Sequence, residues 1–418
     1  MGPWRPKTCC GRCARPGTLA DIIRMMRPGT LSLSALPPLS LYVHLPWCLR
    51  KCPYCDFNSH EFRAGKELDD DTAARYLAAL RADLEASLPL VWGRPVISVF
   101  IGGGTPSLFK PSQIAELISD LRARLPLEPG CEITMEANPG TFERERFAGF
   151  AQAGVTRLSI GVQSFDDAQL AALGRVHSSE QAHAAIEEAA RSFGTFNIDL
   201  MYALPGQTLD ALAQDLDQAL AYRPPHLSVY HLTIEPNTRF ANQPPEHLPD
   251  PDLASDMLDL ITDRTAIQGL SRYEVSAYAR DGHRCQHNLN YWQFGDYLGI
   301  GAGAHGKLSF AHRLLRQVRW RDPATYMAKA LEGQAVSNEN EVARSELPFE
   351  FMLNALRLKD GVSMQSFLER TGLPPSSIAQ AMAQGRAKGL LDPDPAVIRP
   401  TPLGFDFLSD LQALFLAS

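Results

Sequence analysis

The sequence predicts an α/β fold of parallel strands, and three observations lead to this fold class. Six short apolar, β-branched runs recur within the first 240 residues. Segments of helix length lie between them, for example residues 71–88 and 111–125, and their apolar residues recur at helical spacing. A polar or glycine-rich turn follows each run. Strands that alternate with helices in this way pair in parallel through right-handed crossovers, which gives either an incomplete (β/α) barrel or a doubly wound sheet.

The six runs predict the strands of this sheet in chain order. We expect two of the intervening helices to begin at Pro111-Ser112 and at Gly206-Gln207-Thr208, because these residues favour helix starts. The predicted strands are LYVHL (41–45), VISVFI (96–101), EITMEA (132–137), RLSIGV (157–162), NIDLMY (197–202) and LSVYHL (227–232).

Chemically distinctive residues stand at the carboxyl ends of the predicted strands. In a parallel sheet or barrel these ends lie on one face, where such folds build active sites. The agreement of six separate strand ends therefore predicts a functional site at this face. The residues concerned are Cys48, Cys52, Cys55, Gly103, Gly104, Thr105, Glu136, Asn138, Gln163, Asp199, Tyr230 and His231.

The three cysteines at 48, 52 and 55 have the spacing C-x₃-C-x₂-C. Pro53 lacks an amide hydrogen, so we expect a wrapped loop here rather than a regular helix. Three thiolates on such a loop can hold three irons of a [4Fe–4S] cubane and leave the fourth iron open to a substrate. The spacing leaves two alternatives: a zinc site completed by His44 or His60, and buried cysteines without a ligand.

The turn GGGTP, residues 102–106, lacks the sequence features of a phosphate loop and of a dinucleotide site. Its glycines let a ligand approach the backbone, and its exposed carbonyls could receive an ammonium group. A tight strand-to-helix turn is the alternative. Glu136, Gln163, Arg175 and Asp199 add carboxylates for ribose hydroxyls and a guanidinium for a carboxylate. Each of these four could instead be a cap or a surface pair.

A second candidate segment is CQHNLNYWQFGDYLGIGAGAHG, residues 285–306. His287 beside Tyr291 and Trp292 could ligate haem iron or stack on a flat macrocycle. Packed core with hydrogen-bonded histidines is the alternative.

Composition narrows the function classes. The 418 residues carry a formal net charge of -7, which gives no electrostatic basis for nucleic acid as the main partner. No apolar run approaches the roughly 20 residues that a membrane span requires. Six of the eight cysteines form two clusters of three, whereas Cys131 and Cys285 are isolated. This distribution is not that of a disulfide framework and indicates metal or cluster binding in a reducing compartment. We therefore expect a cytoplasmic protein.

Residues 1–38 differ from the rest of the chain. They hold six basic residues and one acid, and they contain the motif CCGRC (Cys9, Cys10 and Cys13). We expect a disordered basic extension, or an upstream start before a true one at Met25 or Met26. An organelle transit peptide and a metal site at CCGRC are the alternatives.

Together these motifs resemble the radical S-adenosylmethionine (SAM) superfamily. Within it they resemble the branch that contains oxygen-independent coproporphyrinogen III oxidases and haem chaperones. The resemblance runs from about Pro37 to the C-terminus. It is carried by YVHLPWC, KCPYCDFNSH, IGGGTPS, MEANPG, RLSIGVQSF, LGRVH, DLMYALPGQT, HLTIEPNT and HNLNYW. It implies a six-unit partial (β/α) barrel, a [4Fe–4S] cluster on the three cysteines, and SAM chelated at the open iron.

The resemblance also implies which residues contact SAM. Three of these residues, Gln163, Arg175 and Asp199, match positions that hold a second SAM in the coproporphyrinogen enzymes, so one or two SAM molecules could bind. The implied set is Tyr42, Gly103, Gly104, Thr105, Glu136, Gln163, Arg175 and Asp199.

Two departures from the oxidases bear on function. The oxidases carry a fourth cysteine two residues after the third, where this sequence has Phe57, and their N-terminal substrate-binding segment has no counterpart here. Both differences favour the haem-chaperone branch, in which the HNxxYW residues engage haem: His287, Asn288, Tyr291 and Trp292. The expected function is delivery of haem to acceptor proteins. A coproporphyrinogen III oxidase, a radical SAM methyltransferase and a structural zinc protein are the alternatives.

The C-terminal residues predict a small helical module. ELPFEFMLNALRL and SMQSFLERTGL read as helices, and the Pro-rich stretch after them suggests a winged-helix-like arrangement ending an α+β region. Residues 344–418 carry 7 basic and 8 acidic residues, too balanced for a DNA-contacting face, so we expect a lid or docking module. A dimer and a peripheral membrane association remain options. The predicted domains are 1–38, the radical SAM core 39–240, the HNxxYW-containing extension 241–340 and the helical module 341–418.

Overall fold

The computed structural model describes residues 31–62, 68–140 and 144–416, and its centre is a twelve-stranded sheet. Two separate pairs of very short strands accompany this sheet. In chain order the strands are β1 (Leu39–Leu45), β2 (Trp47–Cys48), β3 (His60–Glu61), β4 (Val96–Gly103), β5 (Leu127–Ala137), β6 (Arg157–Gln163), β7 (Thr195–Tyr202), β8 (His226–His231), β9 (Ser271–Arg272), β10 (Ala277–Ala279), β11 (Asp296–Ile300), β12 (His305–Phe310), β13 (Arg313–Arg319), β14 (Val336–Glu341), β15 (Val362–Ser363) and β16 (Val397–Ile398).

Across the large sheet the strand order is β14-β13-β12-β11-β1-β4-β5-β6-β7-β8-β10-β9. The six strands from β1 to β8 in this order are parallel neighbours, and each overlaps one of the six predicted runs. β11 adds a parallel strand beside β1, and the remaining edge strands are antiparallel. In the described part of the chain β8 pairs with β10 rather than with β1, so the six parallel strands stay open. The predicted α/β fold with six parallel units is confirmed.

Helices connect the parallel strands and pack against them. Two predicted helix starts are confirmed: one helix begins at Pro111, and the Thr208 side chain caps another by accepting the backbone N–H of Ala211. No described helix is both long enough and apolar enough to cross a bilayer. The helices are Asp70–Val91, Pro111–Arg124, Phe147–Ala153, Asp167–Ala172, Ser179–Ser192, Leu209–Ala221, Arg239–Asn242, Pro251–Ile267, Gln286–Trp292, Pro323–Leu331, Leu347–Ala355, Met364–Thr371, Ala379–Ala387, Pro402–Asp406 and Leu408–Ala413.

Polar and apolar side chains alternate along the strands on the β5–β8 side of the sheet. In β6, Leu158 and Ile160 lie in the main hydrophobic core, whereas Arg157 and Ser159 line a cavity. Successive side chains of a strand point to opposite faces. One face of this half of the sheet is therefore packed under helices, and the other is a polar wall.

A second hydrophobic core joins the C-terminal helices to β-strand residues such as Leu314. Beside these helices β15 and β16 pair in antiparallel fashion, with Val362 opposite Ile398. Helices next to a short two-stranded wing agree with the winged-helix-like arrangement expected from the sequence.

Part of the expected N-terminal extension differs from the prediction. Leu31 and Leu33 are each 7% exposed and belong to the C-terminal core, so this part of the segment packs against the protein. Their leucine side chains supply the apolar area that makes this packing favourable. Residues 1–30, with Cys9, Cys10 and Cys13, lie outside the described residues.

Candidate functional site

A cavity of about 400 Å³ opens at the carboxyl ends of the parallel strands. This volume lies in the range of sites for small molecules and cofactors. All the residues predicted from the strand ends line it, and Arg175 lines it as well. These lining residues are Cys48, Cys52, Cys55, Gly103, Gly104, Thr105, Glu136, Asn138, Gln163, Arg175, Asp199, Tyr230 and His231.

The three cysteines lie on a loop, as Pro53 predicts. Cys48 ends β2, and the backbone N–H of Cys55 donates to the carbonyl of Cys52 in a tight turn. All three thiols are free and half-buried. Burial raises the pKa of Cys48 to about 11 and also raises the pKa of Cys55, so both are neutral thiols in the apo protein. Metal ligation would deprotonate them.

The geometry around His44 argues against the zinc alternative that uses it. Its Nε2 lies 3.0 Å from the Asn58 carbonyl oxygen and its Nδ1 lies 2.9 Å from the Tyr42 hydroxyl, so both ring nitrogens are engaged. Within the described ranges, no three Cys, His, Asp or Glu side chains converge closely enough to hold a single metal ion. A cubane places each thiolate on a different iron and suits more widely spaced cysteines. The donor set therefore fits a cluster better than zinc.

A polar network joins two of the cysteines through the strand ends. The Thr105 hydroxyl lies 3.5 Å from Cys48 Sγ and accepts from Asn138 Nδ2 at 2.9 Å. Arg175 Nη2 donates to Asn138 Oδ1 at 2.6 Å, and its Nη1 lies 3.6 Å from Cys52 Sγ. Hydrogen bonds to cluster sulfurs tune redox potential and orient the ligands. Arg175 thus contacts a cysteine sulfur, a role that its sequence context did not reveal.

The glycine turn brings β4 close to the cysteine loop. The N–H of Gly104 donates to the Leu45 carbonyl, and the N–H of Thr105 donates to the Trp47 carbonyl at 2.7 Å. A Cβ on Gly104 would lie 2.5 Å from the Trp47 carbonyl oxygen, and Gly103 has a φ of +118°. Only glycine fits this approach without displacement. The turn therefore serves as a structural anchor for the loop as well as a cavity wall.

Two carboxylates in the cavity have raised pKa values. Burial, helped by the charge of Asp199, raises the pKa of Glu136 to about 7, although the Gly103 N–H donates to its Oε2 at 2.9 Å. Burial likewise raises the pKa of Asp199 to about 6, against hydrogen bonds from Ser159 and Asn197. Both groups are poised to gain from a cationic or hydroxyl-bearing ligand.

Two of the implied SAM residues have distinctive backbone or side-chain positions. Gln163 ends β6 at a shift in register, with a φ of +71°, which turns it towards the cavity mouth. Tyr42 lies beside the cavity: its ring stacks on Phe100, a wall residue, with ring centroids 6.2 Å apart, and its hydroxyl faces His44. A cavity ligand could therefore reach Tyr42 only through the Tyr42 backbone or after a small movement of the Phe100 ring.

The HNxxYW residues lie on the helix Gln286–Trp292, where His287 is buried and the other three are half-buried. His287 is 2% exposed and packs on Phe100 and on Tyr291, at 4.9 and 4.5 Å between ring centroids. Neither of its ring nitrogens has a hydrogen-bond partner within the described part of the chain, and burial lowers its pKa to about 3. Asn288 lines the cavity. Arg357 lies over the Trp292 ring, 4.2 Å from its centroid.

Several polar residues at the opposite end of the cavity were not singled out from the sequence. Arg157 and His226 begin β6 and β8, and Cys285 precedes the HNxxYW helix. The sequence did offer a signal for Arg157, because it is a charged residue at the start of a buried, β-branched run. For His226 and Cys285 nothing in the local pattern separates a wall residue from core.

The sequence matches two known protein families. It matches the radical SAM superfamily over residues 42–219 and the HemN C-terminal domain over residues 342–407. The first range contains the three cysteines and all the implied SAM residues. The second covers most of the C-terminal helical region.

Similar proteins extend over nearly the whole chain. The heme chaperone HemW of Escherichia coli (strain K12) is 45% identical over 384 residues, covering 91% of this chain and 99% of that one. The heme chaperone HemW of Haemophilus influenzae is 44% identical over 383 residues, covering 91% and 98%. Among solved structures, the coproporphyrinogen III oxidase HemN from Escherichia coli, a radical SAM enzyme, superposes with a TM-score of 0.76 over 94% of this chain and 98% of that one, at 23% identity. At that identity the match shows a shared fold.

Proposed function

The chain belongs to the HemW family within the radical SAM superfamily, and on this premise we propose that it is a haem chaperone that binds haem and passes it to acceptor proteins. Its site would work in a reducing compartment, which for this chain we propose is the cytoplasm. Its partners would be haem and haem-accepting proteins.

Cys48, Cys52 and Cys55 would hold the [4Fe–4S] cluster that the family implies. Thr105 and Arg175 would donate hydrogen bonds to two of the three sulfurs. With a cluster bound, the site offers an open iron for SAM and a means of reductive SAM cleavage. Three free thiols on one cavity wall, with donors already aimed at two of them, support this assignment.

SAM would occupy the cavity beside the cysteine loop. Glu136 and Asp199 offer carboxyl groups, and Gly103, Gly104 and Thr105 form the adjoining wall. Gln163 and Arg175 lie at the same end of the cavity. A cationic ligand here would favour the ionised form of Glu136, whose pKa is raised by burial to about 7.

For haem, we propose the HNxxYW segment as the contact region. The two ring nitrogens of His287 are buried without a partner among the described residues, and such groups call for an explanation. An iron atom or a hydrogen-bonding ligand would supply what they lack. Because His287 is 2% exposed, haem contact requires the helix Gln286–Trp292 to shift.

One observation separates the chaperone from the oxidase of the same branch. Phe57 lies on the cavity wall, 59% exposed, at the position where the oxidases carry a fourth cysteine. It offers an apolar surface there and no thiol.

The test uses anaerobically purified protein with a reconstituted cluster. It is titrated with haem and, separately, with coproporphyrinogen III, in the presence of SAM and a reductant. We expect stable haem binding and no decarboxylated product. Conversion of coproporphyrinogen III to protoporphyrinogen IX would make the protein an oxidase. The variant Phe57→Cys serves as a control: if the fourth thiol alone limits the oxidase reaction, this variant gains it.

A further inference from the structure

The floor of the cavity is built from the segment that leads into the HNxxYW helix. Cys285 and Asn288 line the cavity together with Arg157, the first residue of β6. Gln163, the last residue of β6, borders the same cavity at its other end. A seven-residue strand is about 20 Å long. The cavity therefore reaches from the cysteine loop to the haem-associated segment.

A buried ion pair clamps this segment to the sheet. Glu132 accepts from Arg157 Nε at 2.9 Å through Oε2, and from the backbone N–H of Gln286 at 2.9 Å through Oε1. Arg157 Nη2 donates to the carbonyl of His283 at 3.0 Å. The two side chains are 12% and 3% exposed. One carboxylate and one guanidinium thus fix both ends of the turn that precedes the helix.

Two further contacts tie the same turn to neighbouring strands. The Thr195 hydroxyl lies 3.2 Å from His283 Nδ1. The Tyr273 hydroxyl lies 2.9 Å from His226 Nε2 and accepts from the backbone N–H of Cys285 at 3.4 Å. The turn is therefore held by residues of β5, β6 and β7, and by Tyr273, whose hydroxyl also contacts His226 of β8.

The clamp also has unused hydrogen-bonding capacity at the floor. Arg157 Nη1 is buried and has no hydrogen-bond partner in the part of the chain that the structure describes. Because Glu132 already balances the charge of Arg157, the floor suits an uncharged acceptor, such as a hydroxyl or a ring nitrogen of a nucleoside, better than a free anion. Ser159, Asn197 and Ser228 on the same wall agree with this chemistry.

We propose that Glu132 and Arg157 are positioning residues that couple ligand binding in the cavity to haem binding at the HNxxYW segment. A nucleoside-containing ligand that fills the cavity contacts the floor at Asn288 and Cys285 and holds the turn at residues 283–286 in one arrangement. The position of this turn then determines the position of His287. The inference rests on the proposed haem function, and the coupling it describes is reciprocal, as any linkage between two binding sites must be.

The test measures haem affinity with and without SAM, using reconstituted protein and no reductant. In the natural protein we expect SAM to tighten haem binding by about fivefold or more. In Glu132→Ala the ratio of the two affinities should fall close to one, because the Gln286 N–H and Arg157 lose their shared partner. Glu132→Gln keeps an acceptor oxygen for Gln286 and should restore part of the ratio. A purely structural role would not give this rescue of the ratio.

Arg319→Gln is the matched control. Arg319 forms a fully buried ion pair with Asp83, outside the cavity wall, so this variant should lose stability but keep the ratio. A ratio of one in the natural protein, or an unchanged ratio in Glu132→Ala, would overturn the proposal.

A second readout does not depend on haem. SAM should slow hydrogen exchange at the amides of residues 286–289 in the natural protein and in Arg319→Gln, and not in Glu132→Ala. If haem fails to bind but this protection is seen, the haem function is wrong and the floor assignment stands. If SAM binds without protecting these amides, the floor assignment is wrong. Should Glu132→Ala not fold, Arg157→Lys takes its place in both measurements, because it removes the donor to the His283 carbonyl.

Discussion

The cysteine end and the floor of the cavity differ in how ready their side chains are to bind a ligand. At the cysteine end, three thiols lie on a loop at the cavity mouth, with hydrogen-bond donors already near two of the sulfurs. At the floor, His287 lies behind Phe100, and neither ring nitrogen meets a partner in the described ranges. The first end is prepared for its ligand. The second must move before its most distinctive side chain can bind anything, so the energetic cost of binding differs between them.

The largest expected effect breaks the cysteine end alone. In Cys52→Ala two thiolates remain, too few to hold the cubane, so nearly all cluster iron and its brown absorbance should be lost on reconstitution. Cys131→Ala is the matched control, because Cys131 is also free and half-buried but lies outside the cavity wall. Iron content is measured per chain. Equal iron in both variants would exclude the C-x₃-C-x₂-C loop as the cluster site.

The next effect concerns the floor and leaves the cluster intact. His287→Phe keeps an aromatic ring among Phe100, Tyr42 and Tyr291 and removes two buried nitrogens that lack partners among the described residues. Removal of these unpaired nitrogens should raise the free energy of unfolding by about 1 kcal/mol, after subtraction of the cost of fitting the larger phenyl ring. Haem affinity should fall by about tenfold or more, as expected when an iron ligand or a charged-group hydrogen bond is lost.

Urea unfolding and haem titration of this variant give separate answers. A more stable protein with weaker haem binding identifies His287 as a binding group that is strained in the free state. A more stable protein with unchanged haem binding makes it a packing residue, and the haem site then lies elsewhere. Iron content should match that of the natural protein in both cases.

The sequence predicted the cysteine end in more detail than the floor, and the reason is local. The cysteines, Pro53 and Phe57 lie within ten residues, so their spacing and the missing amide hydrogen of proline specify a loop without knowledge of the fold. The six parallel strands were also predictable, because buried β-branched runs and helical segments alternate regularly. The zinc alternative at His44 could be tested only with the structure, because the contacts with Tyr42 and Asn58 show that both ring nitrogens are engaged.

The floor could not be predicted because its residues come from four strands and a distant turn. Glu132 and Gln286 are 154 positions apart, and Arg157 and His283 are 126 positions apart. No spacing rule links such pairs. The HNxxYW motif names the residue types at the floor, but burial of His287 depends on β1 and β4, which supply Tyr42 and Phe100. The sequence pattern predicted the residue types at the floor, whereas tertiary packing determines whether a ligand can reach them.

The last prediction concerns the carboxyl group of Glu136, which lies at the cysteine end of the cavity. Burial holds the pKa of Glu136 near 7 in the folded protein, whereas an unfolded chain gives about 4.3. Between these values the folded protein keeps a proton that the unfolded chain has released. The free energy of unfolding therefore falls as pH rises from about 4.5 to 7, and Glu136→Gln should be free of this part of the fall.

We expect Glu136→Gln to match the natural apo protein near pH 5 and to exceed its stability by about 2 kcal/mol at pH 8, measured by urea unfolding. Asp199, whose pKa is raised in the same direction, is present in both proteins, so the difference between them reports Glu136. Addition of SAM should reverse the order at pH 8, because a cationic ligand stabilises the carboxylate and gains less from the amide. If SAM stabilises both proteins equally, its cationic groups lie away from Glu136 and closer to the floor.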